Sequence, residues 1–289
     1  MKGGDKRALT SRELADVLGV SESSVKRWVD SGDIEAIRTE GGHRRIPMAA
    51  AVRFMRTHRA VPAKPKLLPL ASPPSLGEVD AGAAEQLYRA LLRDDAAGAR
   101  SIVQGRYLAG ADIAAIADGL IRPVLERVGE LWRSQDEGIL VEHRAVDTCV
   151  QVLSELRAWM PTPGPGAPGA LTAAGPRDPY LLPPLLASLC LAEQGWRARN
   201  LGPLTPLETM IAAVRRYRPR LCCLSVSVEE ALGAKPWRSF VDAIAREGVE
   251  LVLGGRCVEK MRGALGDGAR VFGSIEELAR FAAEVREDK

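Results

Sequence analysis

Short stripes of apolar residues at helical spacing mark the start of the chain. A stripe over residues 14–18 predicts a first helix, which the capping box of residues 10–13 opens. A second helix is predicted between Ser21 and Gly32, because a capping serine and a glycine are typical helix boundaries. The four-residue break at 18–21 between the two helices is the spacing of a helix-turn-helix.

A small β-hairpin, or wing, is predicted directly after the second helix. Residues 34–39 alternate like a strand, Gly41-Gly42 supplies a turn, and residues 43–47 return. Serine and basic side chains on the outward helix face and on the hairpin can reach base edges and phosphates of a DNA duplex. The candidate DNA-binding residues are Ser23, Ser24, Lys26, Arg27, Arg38, His43, Arg44 and Arg45.

The middle of the chain has apolar residues at helical spacing almost throughout. The stripes fall at 87–92, 113–120, 124–131 and 146–153. Four helices of about 12 to 20 residues each would form a four-helix bundle.

From residue 170 onward, short apolar strands alternate with helices. This alternation predicts a doubly wound, Rossmann-like parallel sheet, so the fold class of the whole chain is multidomain α+β and α/β. Ligands bind such sheets at the carboxyl ends of the strands. The predicted pocket wall at this edge is Ser225, Ser227, Gly254 and Gly255.

Two proline-rich stretches, at 60–77 and 160–169, are predicted to be linkers. The predicted domains are then a winged helix-turn-helix DNA-binding domain over 1–59, a helical cap over 78–159, and a Rossmann-like domain over 170–289.

Composition and charge narrow the class of protein. The chain has 289 residues, of which 46% are hydrophobic and 27% charged, and its formal charge is +3. Residues 1–59 contain twelve basic and eight acidic side chains, so the basic surplus lies in the predicted DNA-binding domain. No apolar run approaches the roughly 18 residues of a membrane span, and no apolar segment follows the basic N-terminus. We therefore expect a cytoplasmic protein with no membrane contact.

Two families share the motifs of this chain. The run VKRWVDSGDIEAIRTEGGHRRIP, residues 25–47, resembles the winged helix-turn-helix of the excisionase and MerR-like families. Trp132, with nine residues between it and Glu142-His143, resembles the helical cap of the CarH-type light-responsive repressors, which bind cobalamin. The resemblance implies that these three side chains cover the upper face of the corrin and pack around its adenosyl group.

The C-terminal domain resembles the cobalamin-binding Rossmann-like domain of the same proteins, but it departs from the pattern at the metal. The runs GWRARNLGPLTP, LCCLSVS and LVLGGR carry the resemblance. The family motif Asp/Glu-x-His-x-x-Gly, which supplies the lower cobalt ligand, reads DPYLLP at 178–183, with Tyr180 in place of the histidine and Pro183 in place of the glycine. Arg133 stands where light-responsive members have a second histidine. The three histidines of the chain are His43, His58 and His143, so no protein metal ligand is predicted.

Three interpretations of the ligand site stay open. The protein binds cobalamin without an axial histidine, or it binds another tetrapyrrole such as the bilin biliverdin, or it binds no ligand and keeps the fold for protein contacts. Arg133 favours the second, because a guanidinium can pair with propionate groups. The candidate ligand-binding residues are Trp132, Arg133, Glu142, His143, Tyr180, Ser225, Ser227, Gly254 and Gly255.

The leading hypothesis is a transcriptional regulator without enzymatic activity, and in particular a repressor. A tetrapyrrole-type ligand held between cap and Rossmann-like domain would control self-association or access to DNA. The resemblance implies a photoreceptor that changes its oligomeric state in light. The expected partners are an operator in double-stranded DNA, further copies of the chain in a dimer or tetramer, and an antirepressor protein. The alternatives are a ligand-free regulator and a cobalamin-dependent methyl carrier or mutase accessory.

Overall fold

The computed structural model describes residues 8–39, 41–70, 82–131, 137–228 and 233–287, without the side chains of Ala264 and Asp267. The chain divides into two compact units. The first comprises Met1–Asp112 and Gly119–Met160, and the second comprises Ile113–Asp118 and Pro161–Lys289. No helix among the described residues is both long enough and apolar enough to cross a lipid bilayer.

The first unit begins with a helix-turn-helix and a wing. The elements are β1 Ala8–Leu9, α1 Ser11–Leu18, α2 Glu22–Asp30, β2 Ile37–Arg38, β3 Arg44–Pro47 and α3 Met48–Thr57. The three strands form an antiparallel sheet in the order β1-β3-β2. The predicted capping box is present at the start of α1, since the Glu13 amide donates to Thr10 Oγ1 and the Thr10 amide donates to the Glu13 carboxylate. Gly19 ends α1 at φ 71°, a left-handed conformation that favours glycine.

Helix α3 completes the core of this domain. Val52, Phe54 and Met55 are buried, and the Phe54 ring lies 4.8 Å from the ring of Trp28 on α2. The hairpin is shorter than predicted, because the alternating run over 34–39 pairs only at Ile37 and Arg38. Residues 60–70 of the predicted linker lie against α1, where the Lys64 amide donates to the Val17 carbonyl.

The helical part of the first unit contains α4 Ala83–Leu92, α5 Ala96–Leu108, α7 Arg122–Glu130 and α8 Gly138–Arg157. Two features differ from the predicted set of four. Helix α5 is not among the predicted helices, because it buries Gln104 and Gly105 beside Ile102, Val103 and Leu108 and so lacks a clear division into polar and apolar faces. The two stripes over 113–131 belong to one helical run, in which α6 Ile113–Ile116 leads through a π-turn at Ala117–Ile121 into α7. Pro123 lacks the amide that would continue the regular ladder there.

The second unit is the predicted doubly wound sheet. Its strands are β4 Gly169–Ala174, β5 Arg197–Asn200, β6 Leu221–Ser225, β7 Glu250–Gly254 and β8 Arg270–Val271. Its longer helices are α9 Leu182–Glu193, α10 Leu207–Tyr217, α11 Ala234–Arg246 and α13 Ile275–Glu287, with the short α12 at Arg262–Leu265. The strands are parallel and lie in the order β5-β4-β6-β7-β8.

Each face of the sheet has its own core. Leu171 and Leu253 pack with Trp237 and Phe240 of α11 on one face, together with α10. On the opposite face, Val252 packs with side chains of α9 and α13. Helix α6 also belongs to this unit: the Ile113 amide donates to the Glu193 carboxylate. The arrangement leaves the carboxyl ends of β4, β5, β6 and β7 at one edge, where this fold binds ligands.

Candidate functional site

The outward face of α2 presents the predicted contact residues unequally. Ser23, Lys26 and Arg27 are exposed, whereas Ser24 is half-buried and donates its amide to Ser21 Oγ at the start of the helix. Lys26 pairs with Glu22 at 2.8 Å. Arg27 forms no ion pair with any described residue, so its guanidinium is available for a phosphate or a guanine edge.

The wing is tied to α2 through one carboxylate. Asp30, the last residue of α2, lies 2.6 Å from Arg44 Nη2 and 3.8 Å from Arg38 Nη2. Arg44 is only 24% exposed, which gives it a structural role beside the predicted one. His43 and Arg45 are exposed and make no ion pair within the described ranges. The arrangement holds the hairpin beside the recognition helix with basic side chains outward.

Of the four predicted ligand contacts in the helical part of the first unit, two belong to the described residues. Trp132 and Arg133 lie outside the described residues. Glu142 is half-buried and His143 is exposed, both near the start of α8. Ile139 and Leu140 beside them are 56% and 57% exposed. This end of α8 therefore presents an uncovered apolar surface next to a histidine.

In the second unit, a buried carboxylate organises the carboxyl edge of the sheet. Asp178 is 1% exposed, and its Oδ1 accepts a hydrogen bond from the Tyr180 amide. Its Oδ2 accepts from the Ser227 amide at 2.7 Å and from Ser225 Oγ at 3.5 Å, while its carbonyl accepts from the Leu204 amide. Through its carboxylate and its backbone carbonyl together, this one residue joins the segments that follow β4, β5 and β6.

Asp178 is part of the sequence motif DPYLLP but is not among the predicted site residues. Its signal was an acidic residue just after a buried strand, in a sheet whose third strand ends in serines. The structure also changes the role of those serines. Ser225 and Ser227 are buried and bonded to Asp178, so they support the edge from below.

Packing within the protein requires glycine at 255, whereas a Cβ at 254 would be at about the limit of ordinary contact. Gly255 has φ 106°, and a Cβ there would lie 2.5 Å from the Val226 carbonyl oxygen. A Cβ at Gly254 would lie 3.4 Å from the Phe272 carbonyl oxygen. Glycine at 255 therefore lets the loop after β7 approach the backbone after β6.

Tyr180 lies at the same edge together with a cation that the sequence did not single out. The Cζ atom of Arg256 is 5.1 Å from the centroid of the Tyr180 ring. Leu181 and Leu204 are 47% and 54% exposed, and Tyr180 is half-buried. We call Tyr180, Leu181, Leu204 and Arg256 the candidate ligand face.

These residues do not fit a corrin that is held by a lower axial histidine. Tyr180 takes the histidine position of the motif, and a phenol is a poorer ligand for a transition metal than an imidazole. No histidine occurs after His143 in the sequence. Among the described residues, no group of three or more His, Cys, Asp or Glu side chains is placed to hold a metal ion.

Comparison with known families gives two matches. Residues 8–59 match the helix-turn-helix domain, and residues 83–157 match the B12 binding domain. The chain therefore joins a helix-turn-helix domain, a type of domain that proteins use to bind DNA, to a B12-binding module. This combination has the architecture of the CarH-type regulators that the sequence resembles. Comparison with curated protein sequences gave no match.

Comparison with solved structures gave several matches. The monomethylamine corrinoid protein of Methanosarcina barkeri is 18% identical with a TM-score of 0.54, over 71% of this chain and 100% of that chain. A cobalamin-binding protein of Desulfitobacterium hafniense DCB-2 is 20% identical with a TM-score of 0.36, over 69% of this chain and 96% of that chain. The methanol:cobalamin methyltransferase complex of Methanosarcina barkeri is 12% identical with a TM-score of 0.36, over 74% and 84%. At these identities, the first likeness shows the fold alone.

Proposed function

We propose that the protein is a transcriptional repressor whose DNA binding is controlled by a tetrapyrrole-type ligand. The observation that carries the proposal is the set of exposed basic side chains on the winged domain, Arg27, His43 and Arg45, which form no ion pair with a described residue, in a chain that also contains a B12 binding domain. A helix with an exposed arginine beside a basic wing is suited to one groove and its flanking phosphates.

DNA recognition would be divided between the two elements. Helix α2 enters the major groove, where Arg27 reaches a guanine edge or a phosphate. The wing places Arg45 and His43 against the backbone, and Asp30 fixes its distance from α2 through Arg44. The contacts of Arg45 would supply affinity that depends on salt, because each neutralised phosphate releases condensed counterions.

The test is an electrophoretic mobility shift with a DNA fragment from upstream of the protein's own gene. We expect Arg27→Ala and Arg45→Ala each to weaken binding about tenfold and to reduce the salt slope by about one. Arg216→Ala is the matched control, because Arg216 is an exposed arginine of α10 in the second unit. If neither Arg27→Ala nor Arg45→Ala changed the shift, the winged domain would not be the DNA-binding surface.

Ligand control is a separate part of the proposal. Binding of the ligand in the module of cap and Rossmann-like domain would change self-association, and with it the number of winged domains that engage one operator. Resemblance to the CarH-type regulators supports light as the trigger. The measurement is molar mass by light scattering and the DNA shift, with and without biliverdin or hydroxocobalamin, in darkness and after illumination. An unchanged mass and an unchanged shift under all these conditions would refute ligand control.

A ligand-free regulator is the second candidate. The uncovered Ile139 and Leu140 favour it, because an exposed apolar pair next to a charged surface is typical of a protein contact. Colourless protein after incubation with both tetrapyrroles, together with a normal DNA shift, would support this candidate. A methyl carrier is disfavoured, although one structural neighbour is a corrinoid protein, since no histidine occupies the ligand motif.

A further inference from the structure

We infer that the candidate ligand face binds a flat, conjugated molecule bearing carboxylate groups, with Tyr180 as the stacking platform and Arg256 as the carboxylate partner. The inference rests on the proposed function and names the chemistry of the ligand at that same site. Stacking and ion pairing, and not coordination of a metal, would hold the ligand on this face.

The apolar part of the face has the composition that a flat ligand requires. Tyr180 is half-buried, and Leu181 and Leu204 beside it expose about half of their surface. Large apolar side chains in this position would gain free energy if a ligand covered them. A conjugated ring system would stack on the phenol, and the two leucines would contact its edge.

The charged part of the face is positive. The Arg256 guanidinium lies beside the Tyr180 ring, and Arg177 on the loop after β4 is also exposed. Neither arginine forms an ion pair with a residue in the described part of the chain. Asp178 is buried, with its oxygens bonded to backbone amides and a serine. A guanidinium that no described carboxylate pairs with, next to an aromatic platform, is suited to a bidentate bond with a ligand carboxylate.

The face is held rigidly from below. Leu204 has φ 52°, an uncommon conformation for leucine, and its amide donates to the Asp178 carbonyl at 2.9 Å. The same aspartate fixes the Tyr180 amide. These bonds restrain the backbone at Tyr180 and Leu204 before a ligand arrives, so less backbone freedom is lost on binding.

The experiment uses the full chain and two probes, biliverdin and its dimethyl ester, in a titration followed by absorbance. The ester has the same conjugated system but no free carboxylate. The variants are Arg256→Ala, Tyr180→Phe and Tyr180→Ala. The matched control is Arg199→Ala, because Arg199 is exposed and its Cζ lies 4.7 Å from the centroid of another tyrosine, Tyr217.

We expect wild-type protein to bind biliverdin at least tenfold more tightly than the ester. Arg256→Ala should lose that preference by weakening biliverdin alone, whereas Tyr180→Ala should weaken both probes. Tyr180→Phe and Arg199→Ala should bind like wild type. An undiminished preference in Arg256→Ala would overturn the carboxylate role, and unaltered binding in Tyr180→Ala would overturn the platform.

If a variant does not fold, the wild-type measurement still tests the inference. Equal affinity of the wild-type protein for biliverdin and its ester would by itself refute it. Binding of hydroxocobalamin with no binding of biliverdin would also refute it. The titration contains no DNA, so its result is independent of the regulator hypothesis. A protein that shifts DNA but binds neither bilin probe refutes the inference, and one that binds biliverdin through Arg256 but no DNA refutes the proposed regulation.

Discussion

The guanidinium of Arg56 lies flat against the ring of Tyr107, with its Cζ 3.8 Å from the ring centroid. Its Nη1 donates to the carbonyls of Tyr107 and Ala111 at 2.5 and 2.8 Å. Arg56 belongs to α3 of the helix-turn-helix domain, and Tyr107 to the last turn of α5. A single side chain therefore satisfies carbonyls at and beyond the end of a bundle helix and joins the DNA-binding domain to that bundle.

We expect Arg56→Ala to lower the free energy of unfolding by about 2 kcal/mol, because it removes charge-assisted hydrogen bonds and a cation–π contact with a buried tyrosine. Urea unfolding followed by circular dichroism measures the change. Arg53→Ala is the control on the same helix. Arg53 pairs with Glu35, which is 72% exposed, so its loss should cost under about 1 kcal/mol. Equal losses in the two variants would show that the contact with the bundle contributes no special stability.

For a substitution of Asp30, long-range electrostatics and local geometry predict opposite changes in DNA affinity. Asp30→Asn removes a negative charge from the DNA-binding domain, which by long-range attraction alone would strengthen binding to DNA. We expect weaker binding, by about fivefold, because Arg44 and Arg38 lose the carboxylate that holds the wing beside α2. The mobility shift measures it, with Asp16→Asn on α1 as a control of equal charge. Tighter binding in both variants would contradict the role of Asp30.

The capping box of α1 predicts a dependence of stability on pH. Hydrogen bonds from the Thr10 amide and hydroxyl hold the pKa of Glu13 below its ordinary value of 4.5. A lowered carboxyl pKa gives stability that is present above the ordinary value and is lost as pH falls through the folded value. The midpoint temperature of thermal unfolding should therefore fall less between pH 7 and pH 3 in Glu13→Gln than in wild type. Parallel curves would show that the cap does not respond to this proton.

The burial of each cysteine predicts whether a thiol reagent or a ligand can reach it. Burial raises the pKa of Cys149 and of Cys222 to about 12, and it raises the pKa of Cys223 as well. Cys190 is buried, whereas Cys257 is only partly buried. We expect native protein at pH 8 to react with one equivalent of a thiol reagent, and Cys257→Ser with none. Rapid modification of several thiols in native protein would contradict the packing of β6.

The same cysteines bear on the mode of ligand attachment. A thioether to a bilin would need an accessible thiolate, and among the five cysteines only Cys257 is partly exposed. We therefore expect a bound bilin to dissociate in denaturing gel electrophoresis. Retained colour on the protein band, lost in Cys257→Ser, would instead assign the attachment point.

The local signals in the sequence were sufficient for much of the fold. A capping box, a glycine at a helix end and alternating apolar runs act over a few residues, so α1, α2 and the order of strands and helices in the second unit could be predicted from them. Helix α5 was harder to predict, because it buries Gln104 and Gly105 together with its apolar residues, so polar and apolar positions do not separate into two faces. The sequence predicts two helices where the structure has one run with a π-turn. Pro123 lies just after that turn, and a proline near such a position can either end a helix or be accommodated in it.

The candidate site was less accessible to sequence reasoning. Tyr180 was found because it replaces a motif residue, but Arg256 comes close to it only when β4 and β7 lie in one sheet. The support from Asp178 likewise depends on three strands that end at one edge. Long-range proximity of this kind is a property of the topology, and no short pattern in the chain encodes it.

Helix α6 limits how the protein can be divided for experiments. Asp118 accepts hydrogen bonds from the first amides of α13, at Ile275 and Glu276, although more than a hundred and fifty residues separate them in sequence. A fragment that starts at residue 161 would lack this carboxylate and the Ile113 contact with α9, so its loss of ligand binding would reflect damaged folding. An excised ligand-binding fragment must begin before Ile113, and it then carries α7 and α8 as well. Loss of ligand binding after proteolysis or truncation at this point would thus indicate a folding defect of the second unit and would say nothing about which residues bind the ligand.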